Sequence, residues 1–145
     1  MKTKYFSIQK KVYLADTDVT GIAYYAKHLE WLEIARVEWI SAIYKPITRM
    51  VAEDGISFMP IHIDLTYKAP ALFEDLLTVK VWIKEMDKIR LQLGYEVAKT
   101  VDEKEVVVAV SDLTMVCINT AKGNRPTKIP DYLAKIFEEW APKAV

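Results

Sequence analysis

Residues 24–44, YYAKHLEWLEIARVEWISAIY, contain neither Gly nor Pro. Tyr25, Leu29, Leu32, Arg36, Trp39 and Ile43 recur every three or four residues, which predicts a helix. About twenty residues make a rod roughly 30 Å long. Ile34, Ala35, Val37 and Ile40 widen its apolar surface beyond one stripe, so the helix is expected to be wrapped and not laid on a surface. The rest of the chain must cover this rod.

The cover is legible downstream. After Met59-Pro60 the hydrophobic period changes from 3.6 to 2. In residues 61–68, Ile61, Ile63, Leu65 and Tyr67 alternate with His62, Asp64, Thr66 and Lys68. Leu77, Val79, Val81 and Ile83 share a face of residues 76–86, as do Leu91, Leu93, Tyr95 and Val97 in 89–99. Residues 105–119 are Val-rich and alternate less cleanly, as a strand with neighbours on both sides does. Short links such as Val101-Asp102-Glu103 predict antiparallel neighbours. Upstream of the helix, Tyr5–Leu14 reads as a strand and ADTDVTG, 15–21, as a turn. Pro46 suits the first turn of a short second helix that Gly55 ends. Residues 121–130 read as a loop, and Pro130 opens a terminal helix with Leu133, Ile136, Phe137 and Trp140 on one face. The class is α+β, in the order β-α-β-β-β-β plus a C-terminal helix. Curling the antiparallel sheet around the long helix buries it and leaves sheet edges open to edge-to-edge dimerisation. Residues 1–145 are read as one domain, since two would have ~70 residues each, marginal for a core.

Several kinds of chemistry are excluded or disfavoured. Twenty Lys+Arg balance twenty Asp+Glu, which argues against bulk electrostatic binding of nucleic acid. One cysteine, Cys117, cannot form an intrachain disulfide, and in its Val-rich strand it reads as a buried, inert thiol. With two histidines and no ligand-like spacing, no metal is expected. No apolar run nears the ~20 residues of a membrane span, and the charged N-terminus lacks the apolar core of a signal peptide. A cytoplasmic protein is expected. No G-x-S-x-G surrounds a serine, and no Gly-rich phosphate loop occurs.

The segment ADTDVTGIAYYAKHLEW places Asp16 and Asp18 before the start of the long helix. Free N–H groups and the positive end of the dipole point out there, and can hold an anion or the developing charge on a carbonyl oxygen. A carboxylate beside such a site can attack an acyl carbon or deprotonate a water. Equally, both aspartates can simply cap the turn. Glu33 and Arg36 form an i,i+3 pair, read either as a structural ion pair or, for Glu33, as a second catalytic carboxylate.

The run YLADTDVTGIAYYAKHLEWLEIARVE, Tyr13 to Glu38, resembles the signature of hotdog-fold acyl-CoA thioesterases, in the clade of 4-hydroxybenzoyl-CoA thioesterase and the Tol-Pal-associated thioesterases. Asp18, Gly21, Tyr24, Glu33, Ala35 and Arg36 carry the match. YKAPALFED, 67–75, is similar to that family's Tyr-x-x-Pro segment, and RPTKIP, 125–130, to its C-terminal loop. The resemblance implies a hotdog fold that hydrolyses an acyl-CoA to a free acid and coenzyme A without a cofactor. Asp18 matches the aspartate that acts as nucleophile or general base. Tyr25 matches the position of the backbone oxyanion donor, and Gly21 the glycine that lets the chain approach the thioester. Tol-Pal-associated members usually carry His where this chain has Tyr25. His28, one turn on, reads as a packing or solvated residue.

The same resemblance implies a homodimer or homotetramer with sites between subunits. A tunnel at such an interface would draw on residues 59–67 of the partner chain, through Met59 or His62. Lys88 and Arg90, and the group Lys122, Arg125 and Lys128, would meet coenzyme A phosphates. Tyr13 and Tyr24 would line the acyl pocket or pack, and Trp31, Trp39 or Phe58 would shape it. Acyl carrier protein is the alternative carrier, and a non-catalytic acyl-thioester binding module the reading from another class.

Overall fold

Regular alternation of apolar and polar residues turns one apolar face inward, most clearly over residues 77–83 and 91–97. The computed structural model describes residues 4–142. The strands are β1 (Phe6–Lys11), β2 (Ile56–Tyr67), β3 (Leu76–Met86), β4 (Arg90–Val101) and β5 (Lys104–Asn119), with a two-residue β6 (Arg125–Pro126). The helices are α1 (Lys27–Ile43), a single turn α2 (Ile47–Arg49) and α3 (Asp131–Glu138). The sheet is antiparallel in the order β1-β3-β4-β5-β2, with β6 paired to the end of β5. Leu77, Val79, Val81 and Ile83 of β3 and Leu91, Leu93, Tyr95 and Val97 of β4 are all buried against the helices. This curled sheet holding a central helix is the hotdog fold expected above.

Local signals act where the sequence places them. Asp102 and Glu103 both have positive φ and join β4 to β5 in two residues, as the twist of a tight hairpin requires. Pro46 precedes α2, which widens into a π turn over Met50–Asp54 and stops at Gly55, φ +66°. Pro130 caps α3, whose Phe137 stacks on Trp39 at 5.6 Å.

The structure corrects five expectations. The first strand ends at Lys11, and Leu14–Asp16 forms a 3-10 turn instead of continuing it. The long helix begins at Lys27, because the Tyr24 N–H is bonded to the Asp16 carbonyl (2.7 Å) and residues 24–27 close a turn first. The buried stripe of α1 is His28, Trp31, Leu32, Ala35, Trp39 and Ile40, about one position round from the predicted one. Leu29 and Ile34 are exposed, so the sheet of one chain covers one side of the rod and not its whole girth. In β2, Ile61, Ile63 and Tyr67 are 49%, 41% and 46% exposed, because β2 is an edge strand with a bulge between Pro60 and His62.

Gly94 sits in β4 beneath the Trp82 indole. A Cβ there would lie 2.5 Å from Trp82 Cε2. An indole packed on a sheet face yields less than a flexible chain end, so Gly94→Ala should destabilise the fold by ~1–3 kcal/mol in denaturant titration. A change within ~0.5 kcal/mol, the range of ordinary surface substitutions, would show that Trp82 can move aside.

Candidate active site

Residues 17–23 form a small hairpin closed by a bridge between Thr17 and Ala23. Inside it, the Asp18 N–H donates to the Ile22 carbonyl (2.8 Å) and the Gly21 N–H to the Asp18 carbonyl (3.2 Å). Gly21 has φ +81°, a left-handed conformation that other residues reach only under strain. No atom outside its neighbours lies within 4 Å of a Cβ built there, so backbone conformation is what demands glycine.

The two aspartates have different work. Asp16 is buried, accepts the Tyr13 N–H (2.9 Å) and is paired with Lys10 (3.1 Å). Burial alone would raise its pKa, but these hydrogen bonds and the Lys10 charge outweigh it and hold the carboxyl below its ordinary value. Asp16 therefore anchors the turn. Asp18 is exposed. Its Oδ1 accepts the Thr20 hydroxyl and N–H, which lower its pKa and keep it ionised. Both of those bonds go to Oδ1, and the Ile22 N–H also lies close enough to the carboxyl to lower its pKa.

Asp18, Ile22, Tyr25, His28 and Tyr67 line one open cavity of about 430 Å³ with Lys68–Ala71. The Tyr67 hydroxyl, at the end of β2, donates to the Tyr25 carbonyl at 2.7 Å. This bond ties the sheet edge to the turn before α1. The neighbouring N–H groups of Tyr24 and Lys27 are bonded to carbonyls within the turn region, whereas the Tyr25 N–H has no acceptor among the described residues. The oxyanion donor implied by resemblance is thus unspent, though it belongs to the turn and not to the helix proper. Tyr24 is exposed and its ring packs against Tyr25 at 4.7 Å.

His28 is buried against Trp31 (4.7 Å) and edge-on to Tyr67 (5.0 Å). It packs and is not solvated. Desolvation pushes its pKa down to about 4, so it is neutral near pH 7. Cys117 is likewise buried, its thiol pushed up to about 11 by desolvation, and inert as expected.

The other candidate residues lie elsewhere. Met59 pairs with Val116, which pairs with Arg90, whereas Tyr67 and Val97 both pair with Ala109. Seven residues of β5 separate these rows, roughly 23 Å at strand rise. Lys88 and Arg125 share the Arg90 end: the Ile129 N–H donates to the Lys88 carbonyl and Arg125 pairs with Asn119. One chain therefore gathers Asp18, Gly21, Tyr24 and Tyr25 but not Met59, Lys88, Arg90 or Arg125 beside them. Lys128 is paired with Asp131 (3.0 Å), while Lys88, Arg90 and Arg125 have no ion pair among the described residues. Trp31, Trp39 and Phe58 are core residues and line no cavity at the site. Tyr13 is exposed, with the Lys10 ammonium 4.9 Å from its ring centre.

Glu33 and Arg36 do not form the expected ion pair. Glu33 is exposed, and the Arg36 guanidinium instead contacts the Met115 sulfur at 3.0 Å. Sequence reasoning also missed Thr20 and Tyr67 as partners in the site. The Asp-x-Thr spacing was an available signal for the first, since Asp side chains bond the backbone two residues on. Tyr67 opens the Tyr-x-x-Pro segment noted above, but its bond to the turn spans 42 residues, and no local pattern fixes that partner.

Two outcomes follow. Tyr67→Phe should lower kcat about tenfold with KM little changed, because it frees the turn without removing a binding group; an unchanged kcat would detach Tyr67 from the site. Because the His28 pKa is depressed in the folded state, stability should be full above pH 6.5 and fall toward pH 4, by up to ~3 kcal/mol. His28→Phe should flatten that slope in denaturant titrations across the window.

Comparison with known proteins agrees with this architecture. A family model, the Thioesterase-like superfamily, matches residues 12–137. The 1,4-dihydroxy-2-naphthoyl-CoA hydrolase of Synechocystis is 26% identical over 113 residues, 78% of this chain and 80% of that protein. The acyl-CoA thioester hydrolase YbgC of Escherichia coli is 24% identical over 139 residues, 96% of this chain and all of that protein. A 4-hydroxybenzoyl-CoA thioesterase variant solved with 4-hydroxybenzoyl-CoA superposes with a TM-score of 0.86 at 20% identity, over 91% of this chain and 97% of that one. With the motif, the curled sheet and the family model in agreement, the chain belongs to the Thioesterase-like superfamily.

Proposed function

We propose that this protein hydrolyses acyl-CoA thioesters to a free carboxylic acid and coenzyme A, with Asp18 as the reacting carboxylate. The observation that carries the reading is one cavity lined by an ionised, exposed carboxylate and a residue with an unspent N–H, Asp18 and Tyr25. Acyl transfer to water needs those two elements. As general base, Asp18 takes a proton from water while the water oxygen attacks the carbonyl carbon. The carbonyl oxygen gains negative charge against the Tyr25 N–H. The C–S bond then breaks and the thiolate of coenzyme A takes up the proton. As nucleophile, the Asp18 carboxylate attacks the carbonyl carbon and expels the coenzyme A thiolate, giving a mixed anhydride; water then cleaves the anhydride to the free acid and the Asp18 carboxylate, and its proton goes to the thiolate. Neither route calls for a metal or redox group. The named relatives act on CoA thioesters, which supports the substrate class.

The site is completed by a second copy. Strand β2 is an edge strand with exposed Ile61 and Ile63, which water disfavours and another β2 can cover. Antiparallel pairing of β2 about a two-fold near Ile63 sets the partner's Met59 beside Tyr67. It also brings the unpaired cations at the partner's Lys88, Arg90 and Arg125 to the mouth of the Asp18 cavity, where coenzyme A phosphates would lie. These three free cations favour CoA over acyl carrier protein, which lacks the nucleotide. Localisation in the cytoplasm belongs to the same proposal; no helix among the described residues is long and apolar enough to cross a membrane.

The test is thiol release from short, medium, long and aromatic acyl-CoAs by wild type and Asp18→Asn, with folding checked in both. Wild type should hydrolyse at least one, and the variant should lose ~100-fold or more in kcat. Equal activity in the two proteins would remove Asp18 from the mechanism. Binding without turnover by wild type would favour the acyl-thioester binding module.

A further inference from the structure

Arg36 is a cation without an anion. Among the described residues its one polar contact is Nη1 to the sulfur of Met115, a weak acceptor, and its Nε is buried with no partner. Close by, the Tyr95 hydroxyl is also buried and unpartnered, on a residue only 1% exposed. Both side chains line a cavity of about 410 Å³ between α1 and β2, walled mainly by Leu29, Leu32, Ile61 and Ile63. Glu33 and His62 also reach this cavity, from exposed positions.

Arg36 is half-buried, and a guanidinium held partly out of water with its Nε fully buried is costly unless an acceptor meets it; the orphaned hydroxyl adds to that cost. The surrounding chain supplies apolar walls and a sulfur, with Glu33 and His62 at exposed positions. Both unpaired groups can donate hydrogen bonds, so the missing partner is an oxygen acceptor that arrives from outside. A carboxylate matches the guanidinium fork best.

We propose that this cavity receives the acyl chain and that Arg36, with Tyr95, binds a carboxylate at its far end. The preferred substrates are then mono-CoA thioesters of dicarboxylic acids. The inference rests on the thioesterase reading of the Asp18 site and adds its substrate class. Arg36 lies eleven residues beyond Tyr25, about 16 Å along the helix. The acyl chain lies along apolar wall over that span and meets charge only at its end.

The experiment compares kcat/KM for adipoyl- and suberoyl-CoA with hexanoyl- and octanoyl-CoA in wild type, Arg36→Met, Arg36→Lys and Tyr95→Phe. Wild type should favour a carboxylate-ended member over its alkyl match by ~10-fold or more, the scale of one charged hydrogen bond. That ratio should collapse in Arg36→Met and survive in part in Arg36→Lys, a pattern that loss of fold alone does not give. Binding of suberoyl- and octanoyl-CoA to Asp18→Asn, with and without Arg36→Met, reads the same preference without turnover. Equal handling of both classes by wild type would overturn the inference. So would dissociation of Arg36→Met into monomers in sedimentation, since Arg36 would then be anchored by a partner's carboxylate. Arg36-dependent binding of suberoyl-CoA without thiol release from any substrate would sustain this site and reject the thioesterase reading.

Discussion

An edge strand that is apolar where water meets it sets the terms for this molecule. Among the described residues, strand β2 has β5 on one side and no strand on the other, yet it carries Ile61, Ile63 and Tyr67 at exposed positions. Soluble proteins usually blunt such an edge with charge, Pro or a covering element. Here the strand has one Pro, at its bulge, and no cover. Its far end also holds the turn before α1 through the bond from the Tyr67 hydroxyl to the Tyr25 carbonyl. Strand β2 thus holds the turn that follows Asp18 at one end and offers an apolar edge along its middle.

Around that strand, the charges are divided by burial. Asp16 is spent on Lys10 and the Tyr13 N–H, and so fixes the turn. Asp18, two residues on, is held ionised by Thr20 and left facing solvent. The cations divide by pairing and not by burial: among the described residues Lys10, Lys99 and Lys128 are paired, while Lys88, Arg90 and Arg125 have no ion pair. The groups left without an ion pair are the ones the proposed reaction calls on.

Much of this was legible in the sequence because it is local. Alternation in β3 and β4 placed Val79, Val81, Leu93 and Val97 inward with no long-range information. Asp18 and Gly21 were found by a contiguous motif whose turn and left-handed glycine the backbone realises. The misreadings were all matters of what lies opposite. The stripe of α1 was placed about one position off because its residues are apolar on most sides, so periodicity alone could not choose the face. Glu33 and Arg36 have the spacing of an ion pair, but the Met115 sulfur, 79 residues away, takes the guanidinium. The separation of Asp18 from Lys88, Arg90 and Arg125 follows from strand register, which no single segment encodes.

The central claim is that Asp18 of one chain works with the cations of another. Mixed-subunit complementation tests it most directly. Inactive Asp18→Asn chains would be unfolded, mixed with chains carrying Lys88→Ala, Arg90→Ala and Arg125→Ala, and refolded together. In a hybrid dimer one of the two sites would combine an intact Asp18 with an intact cation set. Thiol release well above either parent is the predicted result. A mixture no more active than the average of its parents would show that each chain holds its own complete site, and would contradict the account.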